Sequence, residues 1–140
     1  MDFGQFDSRA AGDKGAWMHV NHPGTGKPMF DGDKPCRVRV LGIEGQVGSG
    51  IMADARKAMR EPKSDDSDDD AQNKMVKEAK PLLVEFENID RGDRPATAPD
   101  DVEWFLRLQS VIGGNKQSFV EQVRAFALDR GKILGNGLPS

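Results

Sequence analysis

Tyrosine is absent from this chain of 140 residues, cysteine occurs once and histidine twice. The single cysteine, Cys36, excludes an internal disulfide framework and indicates a reducing compartment such as the cytoplasm. It begins an apolar run, which predicts a small buried core residue. On a strand, His19 and His22 would point to opposite faces, and no third ligand of this kind stands nearby. We therefore expect no metal ion and no cofactor.

Long apolar runs are also absent. No run approaches the roughly 20 residues that a membrane-spanning helix needs, and the chain does not open with a signal sequence. We therefore expect a soluble protein with no membrane partner. Charge is nearly balanced, with 20 basic and 23 acidic residues and a net charge of −3. A dense basic face for phosphate groups is not predicted, and neither is a nucleic-acid partner.

The motifs that indicate nucleotide binding or catalysis are incomplete. Residues 48–53 formally match the G-x-G-x-x-A turn of dinucleotide-binding proteins, but an aspartate run follows them instead of a second strand. In the phosphate-loop pattern, Ile51 and Met52 stand where lysine and serine or threonine are required. No Ser/His/Asp arrangement has a recognisable local context. We identify no catalytic residue and expect that the protein is not an enzyme.

An acidic run at residues 63–70 interrupts the middle of the chain. It lacks the glycine and the closing glutamate of a calcium-binding loop, so we interpret it as a solvated linker. We find no internal repeat, and the length is that of one domain. The predicted parts are an N-terminal arm (1–15), a β-hairpin unit with the first helix (16–62), the acidic linker (63–70), a helical part of the same domain (71–134) and a flexible tail (135–140).

Two segments of the N-terminal half have strand patterns. Residues 16–20 are strand-like, and residues 37–41 alternate polar and apolar side chains with period two. The connection between them is rich in glycine and proline, which favours turns, and residues 29–30 add a short strand between the turns. These patterns predict a small antiparallel β-hairpin unit, followed by a helix from residue 51 to about residue 59.

The C-terminal third has the strongest helical patterns. Thr97 or Asp100 can cap a helix that extends to Ile112. Asn115 or Ser118 opens a second helix, and Ser118 with Glu121 has capping-box spacing. The short glycine-containing turn between them predicts an antiparallel helical hairpin. Residues 82–89 are strongly apolar, but their pattern does not distinguish helix from strand. Together the patterns predict an α+β fold, in which the β-hairpin unit is followed by three to four α-helices that end in the helical hairpin.

Aromatic side chains on the two C-terminal helices are candidate anchors for another protein, because exposed tryptophan is enriched at protein interfaces. Trp104 adjoins Phe105, so the two side chains cannot point the same way, and Trp104 can lie at the edge of the buried stripe. The alternative is that these residues belong only to the core. The candidate protein-binding residues are Trp104, Phe105, Phe119, Val123 and Phe126.

The order of the segments resembles one protein family over nearly the whole chain. The carrying segments are residues 3–7, 15–16, 19–28, 31–35 and 41–42, the sequence Phe-Glu-Asn-Ile at 86–89, Trp-Phe-Leu at 104–106, and residues 119–126, 129–130 and 133–134. In these features the chain is similar to tail assembly chaperones of long-tailed bacteriophages, which are encoded in siphophage tail-gene clusters. It departs from the family where residues 45–50 and the aspartate run replace a polar, basic helix.

The resemblance implies a non-enzymatic helper in the cytoplasm of a bacterial host. Such a helper binds the tape-measure protein and keeps this helical rod soluble before the tail tube polymerises. Contact with the tail-tube protein and association of the chain with itself are left open. Two alternatives also stay open: a structural virion component, such as a head–tail connector or a tail-tube accessory protein, and a phage effector that binds a host protein.

Overall fold

The computed structural model describes residues 1–60, 68–111 and 116–135, and only the backbone of residues 68–70. These residues form an α+β fold with small antiparallel sheets, which confirms the predicted fold class. None of the helices within these ranges is both long and apolar enough to cross a membrane.

Helices and strands occur in groups along the chain. The helices are α1 (Ser8–Lys14), α2 (Gln46–Met59), α3 (Asp68–Ala79), α4 (Val102–Leu106), α5 (Phe119–Leu128) and α6 (Arg130–Ile133), with short 3-10 helices at Phe3–Phe6 and Lys80–Leu82. The strands are β1 (Ala16–His19), β2 (Phe30–Asp31), β3 (Lys34–Pro35), β4 (Arg37–Val40), β5 (Leu83–Glu87), β6 (Asp90–Arg91) and β7 (Arg94–Pro95).

The main sheet has three strands in the order β1-β4-β5, and β4 pairs antiparallel with both neighbours. The predicted alternation in β4 is confirmed, because Val38 and Val40 are fully buried. Arg37 and Arg39 are partly exposed and form ion pairs of 2.7 and 2.8 Å with two glutamates of β5. The alternating pattern therefore places one face of the sheet against the core.

Helix α5 joins the sheet to the other helices, since it contacts β4, α3, α4 and α6. Its predicted capping box is confirmed by reciprocal hydrogen bonds between Ser118 and Glu121. The buried Gln122 also bonds across the fold, because its side chain accepts from the backbone N–H of Asn21 at 2.9 Å and donates to the Asn21 carbonyl at 2.9 Å. The fully or almost fully buried apolar side chains include Val20, Val38, Val40, Val76, Val102, Phe105, Leu106, Val120 and Val123.

Residues 1–15 differ from the predicted arm, since most of them are helical and α1 packs against α2 and α6. The close approach depends on glycine: a Cβ atom on Gly12 would lie 2.5 Å from the backbone nitrogen of Gly45. Phe3 and Phe6 instead contact each other edge to face, with ring centroids 5.5 Å apart, and both remain exposed. The folding of this segment depends on residues distant in sequence, which its own polar pattern does not reveal.

Helix α2 begins at Gln46 rather than at the predicted Ile51. The side chain of Asp13 caps the start of this helix, because its carboxylate accepts a 2.6 Å hydrogen bond from the Gln46 backbone N–H. The glycines of this segment also let the backbone pack closely, since a Cβ atom on Gly48 would lie 2.4 Å from the Cα of Ile43. The glycine-rich segment is therefore the first turn of a packed helix.

Residues 71–134, predicted to be helical, also contain the strands β5, β6 and β7. The ambiguous apolar segment forms β5 because it pairs with the edge of β4 that β1 leaves open. Helix α4 ends at Leu106, before the predicted end at Ile112, and residues 112–115 lie outside the described residues. Helices α4 and α5 contact each other, as the predicted helical hairpin requires.

Two predicted segments fall mainly outside the described residues. Of the acidic linker at 63–70, only residues 68–70 are described, and they begin α3. Of the tail at 135–140, only Gly135 is described.

Candidate functional site

Two short β-hairpins have similar turns. Hairpin A consists of β2 and β3 (Phe30–Pro35), and hairpin B consists of β6 and β7 (Asp90–Pro95). Each turn has a glycine with φ near +67°, followed by aspartate, a basic residue and proline. A backbone hydrogen bond closes each base, from Cys36 to the Met29 carbonyl at 3.0 Å and from Ala96 to the Ile89 carbonyl at 2.9 Å. This shared Gly-Asp-Lys/Arg-Pro pattern was not identified from the sequence.

An apolar groove, which we call the hairpin groove, lies between the bases of the two hairpins and helix α4. Its volume is about 310 Å³. Most of its lining side chains are apolar. The described residues that line it are Val20, Met29, Cys36, Asn88, Ile89, Asp90, Trp104, Phe105, Leu108 and Phe119.

Phenylalanine rings form the floor of the hairpin groove. Phe105 and Phe119 stack with ring centroids 4.6 Å apart and planes within 2° of parallel. Phe86 meets the Phe105 ring edge to face at 5.4 Å. Because Phe105 and Phe119 are buried, they support the groove from below and present little of their own surface. Such aromatic packing makes the floor rigid.

Trp104 and Leu108 form the wall of the hairpin groove on the side of α4. The guanidinium of Arg91 lies over the Trp104 ring, 5.2 Å from its centroid, which restrains the indole by a cation–π contact. Leu108 is 45% exposed, so it can contribute apolar surface to a partner. Trp104 is half-buried.

Asp101 holds hairpin B against α4. Its carboxylate is 1% exposed and accepts hydrogen bonds from Arg94 at 2.8 and 2.9 Å, from the Thr97 backbone N–H at 2.8 Å and from Arg91 at 3.0 Å. The hydrogen bonds from Arg94, followed by that from Thr97, hold the pKa of Asp101 well below its usual range. Because Arg91 contacts both Asp101 and Trp104, the same network positions the wall of the groove.

Hairpin A has different supports. The Nε2 atom of His19 lies 2.7 Å from the Met29 carbonyl oxygen, and the His19 ring meets the Phe30 ring edge to face at 4.9 Å. Asn88 connects the two hairpins, because its side-chain amide donates a 2.9 Å hydrogen bond to the Pro35 carbonyl. Phe30 nevertheless remains 57% exposed.

Cys36 lies in the groove as a buried free thiol. Its Sγ donates to the Asn88 carbonyl at 3.2 Å. Burial raises the pKa of the Cys36 thiol, and the nearby carboxylates of Asp31 and Asp90 raise it further. The thiol is therefore protonated near neutral pH and has the properties of a small packed side chain rather than a nucleophile.

The structure brings together three of the five predicted protein-binding residues, since Trp104, Phe105 and Phe119 all line the hairpin groove. It does not bring the other two to this groove. Val123 is fully buried in the core, and Phe126 is almost fully buried and lines a separate polar cleft. The groove residues Met29 and Ile89 were missed because they come from segments that are distant in sequence. Leu108, only four residues after Trp104, was also missed.

A larger cleft near α1, α2 and α6 has a polar lining and a volume of about 530 Å³. Within it Glu44 accepts hydrogen bonds from Ser8 and Arg130. Arg9 and Arg56 also line this cleft. Among the described residues, Glu44 is the one acidic side chain that lines this cleft, and it already has these two partners; no described tryptophan lines the cleft.

Across the described residues, no group of three or more histidine, cysteine, aspartate or glutamate side chains is placed to hold a metal ion. The hairpin groove offers a rigid apolar surface with a tryptophan at its edge, which suits contact with apolar side chains of another molecule. Comparison of the chain with known protein families, with curated proteins and with solved structures finds no match.

Proposed function

We propose that this chain is a tail assembly chaperone of a long-tailed bacteriophage. In this proposal it binds the tape-measure protein in the host cytoplasm and keeps it soluble before the tail tube polymerises. The observation that carries the proposal is the hairpin groove, whose wall holds two of the more exposed groove residues, Trp104 and Leu108. The order of segments in the sequence, which resembles that family, supplies the identity of the client.

The client's chemistry fits an apolar groove. A helical rod that has not yet been enclosed exposes apolar side chains in stripes along its length, and such stripes dock into grooves on other proteins. The groove is supported by stacked rings and by the Asp101 network, so little order has to be gained on binding. A groove that is ordered before binding loses little conformational entropy when the partner binds, which favours affinity.

One groove of about 310 Å³ accommodates only a few side chains. A single contact of this size is expected to be weak, since stable interfaces bury on the order of 1,600 Å². Many copies along one rod would together cover its apolar surface, and weak individual binding would let the tube subunits displace them. We therefore expect several chaperone copies on each client molecule.

The test is co-expression with the tape-measure protein of the same genome, followed by affinity capture and measurement of the soluble fraction. We expect the intact chain to bind the client and raise its solubility, and Trp104→Ala to lose most of this effect. Trp17→Ala is the matched control. Its indole is also half-buried and also lies under an arginine, with Arg37 at 5.2 Å, but it does not line the groove.

Two results would overturn the proposal. One is a client that stays insoluble with the intact chain, or that responds equally to both tryptophan substitutions. The other is the presence of this chain in purified particles at a fixed copy number, as measured by mass spectrometry, which is the outcome expected for a structural virion component.

A further inference from the structure

We infer that the segment bound by the hairpin groove is a basic amphipathic helix, with apolar side chains in the groove and lysine or arginine beside them. This inference rests on the proposed function, because it names the chemistry of the occupant of the same groove. It is carried by the distribution of charge around the groove.

Two carboxylates lie on the hairpins beside the groove: Asp90 is at the base of hairpin B, and Asp31 is next to the turn of hairpin A. Asp90 lines the groove itself, and Asp31 lies close enough to Cys36 in the groove to act on its thiol. Both aspartates are exposed, and among the described residues neither forms an ion pair. Lys34 stands opposite Asp31 across hairpin A without forming such a pair. The two carboxylates are thus available to a partner.

The neighbouring cations are mostly engaged. Arg91 and Arg94 both bind the buried Asp101, and Arg37 binds Glu87 at 2.7 Å. The rim of the hairpin groove therefore has more unpaired negative than positive charge. An apolar floor with an acidic rim is complementary to an apolar stripe flanked by basic residues.

Charge complementarity of this kind acts on selectivity more than on total affinity. Exposed charge pairs are screened, and each changes a binding constant by about one- to fivefold at low salt. Two rim carboxylates are therefore expected to give about a tenfold preference for a basic over an uncharged flank. The preference should weaken as salt rises, because the rim is exposed to solvent.

The probes are three fluorescent helical peptides with the same leucine stripe and with lysine, glutamine or glutamate at the flanking positions. Their dissociation constants are measured by fluorescence anisotropy with the full chain, at about 50 mM and about 300 mM salt. We expect the lysine peptide to bind about tenfold more tightly than the glutamine peptide at low salt, with the glutamate peptide weakest. At the higher salt the three values should converge to within about threefold.

Matched double variants locate the effect. Asp31→Asn with Asp90→Asn should remove the preference for lysine. Asp33→Asn with Asp93→Asn, which removes the same charge from the two turns, should retain most of it. Trp104→Ala reports use of the groove, because it should weaken binding of the lysine peptide, whereas the control Trp17→Ala should not.

The outcomes separate the inference from the proposed function. If all three peptides bind equally and all bind more weakly to Trp104→Ala, the groove binds apolar helices and the inference of a basic partner is wrong. Equal loss of preference in both double variants also overturns the role of the two rim carboxylates. If no peptide binds, or if Trp104→Ala binds as tightly as the intact chain, then both this inference and the use of the groove proposed above fail.

Discussion

Hairpin A and hairpin B have the same Gly-Asp-Lys/Arg-Pro turn, yet the rest of the molecule supports them differently. Hairpin B is fastened to α4 by the buried Asp101 through two arginines. Hairpin A has no ion pair of its own among the described residues and depends on contacts with His19 and Asn88. The comparison shows that a few residues suffice to form a turn, whereas its rigidity depends on partners supplied by the tertiary structure.

The largest effect is expected from the support of hairpin B. Replacing Asp101 by asparagine removes the charge that two arginines share and weakens the hydrogen bond to the Thr97 backbone. Loss of a buried charged partner is strongly destabilising, so we expect the Tm to fall by roughly 10 °C in thermal unfolding followed by circular dichroism. Asp100→Asn is the control, since the adjacent Asp100 is exposed and should leave the Tm unchanged. Equal Tm values for the two variants would show that hairpin B does not need Asp101.

The stabilisation that Asp101 gives to hairpin B depends on pH. Because the pKa of Asp101 is lowered in the folded protein, its ionised form stabilises the fold at any pH above its unfolded-state pKa of about 4. As the pH falls below about 4, this contribution decreases, and it is lost only when the pH passes the still lower folded-state value. The Tm difference between the intact chain and Asp101→Asn should therefore be constant from about pH 5 to 7 and shrink below about pH 4. A difference that grows on acidification would contradict this assignment.

The smallest effects are expected from the turns, where the two hairpins are most alike. Gly32 and Gly92 have φ values of +67° and +68°, and a Cβ atom at either position would meet nothing within 4 Å. Alanine at each therefore introduces only backbone strain, which we expect to cost about 1 kcal/mol of unfolding free energy in either hairpin. Urea denaturation of Gly32→Ala and Gly92→Ala measures both. Gly50→Ala, at an open position inside α2 with a helical backbone, is the control and should not destabilise. Unequal losses of unfolding free energy at the two turns would show that the tertiary contacts of a hairpin change the cost of the same substitution.

The predicted elements that the structure confirms are those whose signals are local. The alternation of β4 and the capping box of Ser118 and Glu121 each involve residues only a few positions apart. The predicted start of α2 was wrong because its cap, Asp13, is 33 residues away from Gln46. The apolar segment that became β5 could not be assigned from its pattern, since pairing with β4 decides between strand and helix.

The candidate site shows the same division. Trp104, Phe105 and Phe119 were selected as large aromatic residues on helices, and the structure places all three at the hairpin groove. Val123 and Phe126 lie on the same predicted helix face, but α5 turns that face into the core. A helical stripe identifies which side chains share a face, and it does not tell which part of that face another element covers.

The amino-acid sequence by itself determined the α+β class, the alternating strand β4 and the capped helix α5, because each depends on conformational preferences within a few residues. Only the tertiary structure decided that Asp101 is buried between two arginines, that Gln122 bonds to Asn21 across 101 residues and that the two hairpins border one apolar groove. These features join segments whose separation along the chain leaves no periodic signal, and they form only when packing brings the segments together.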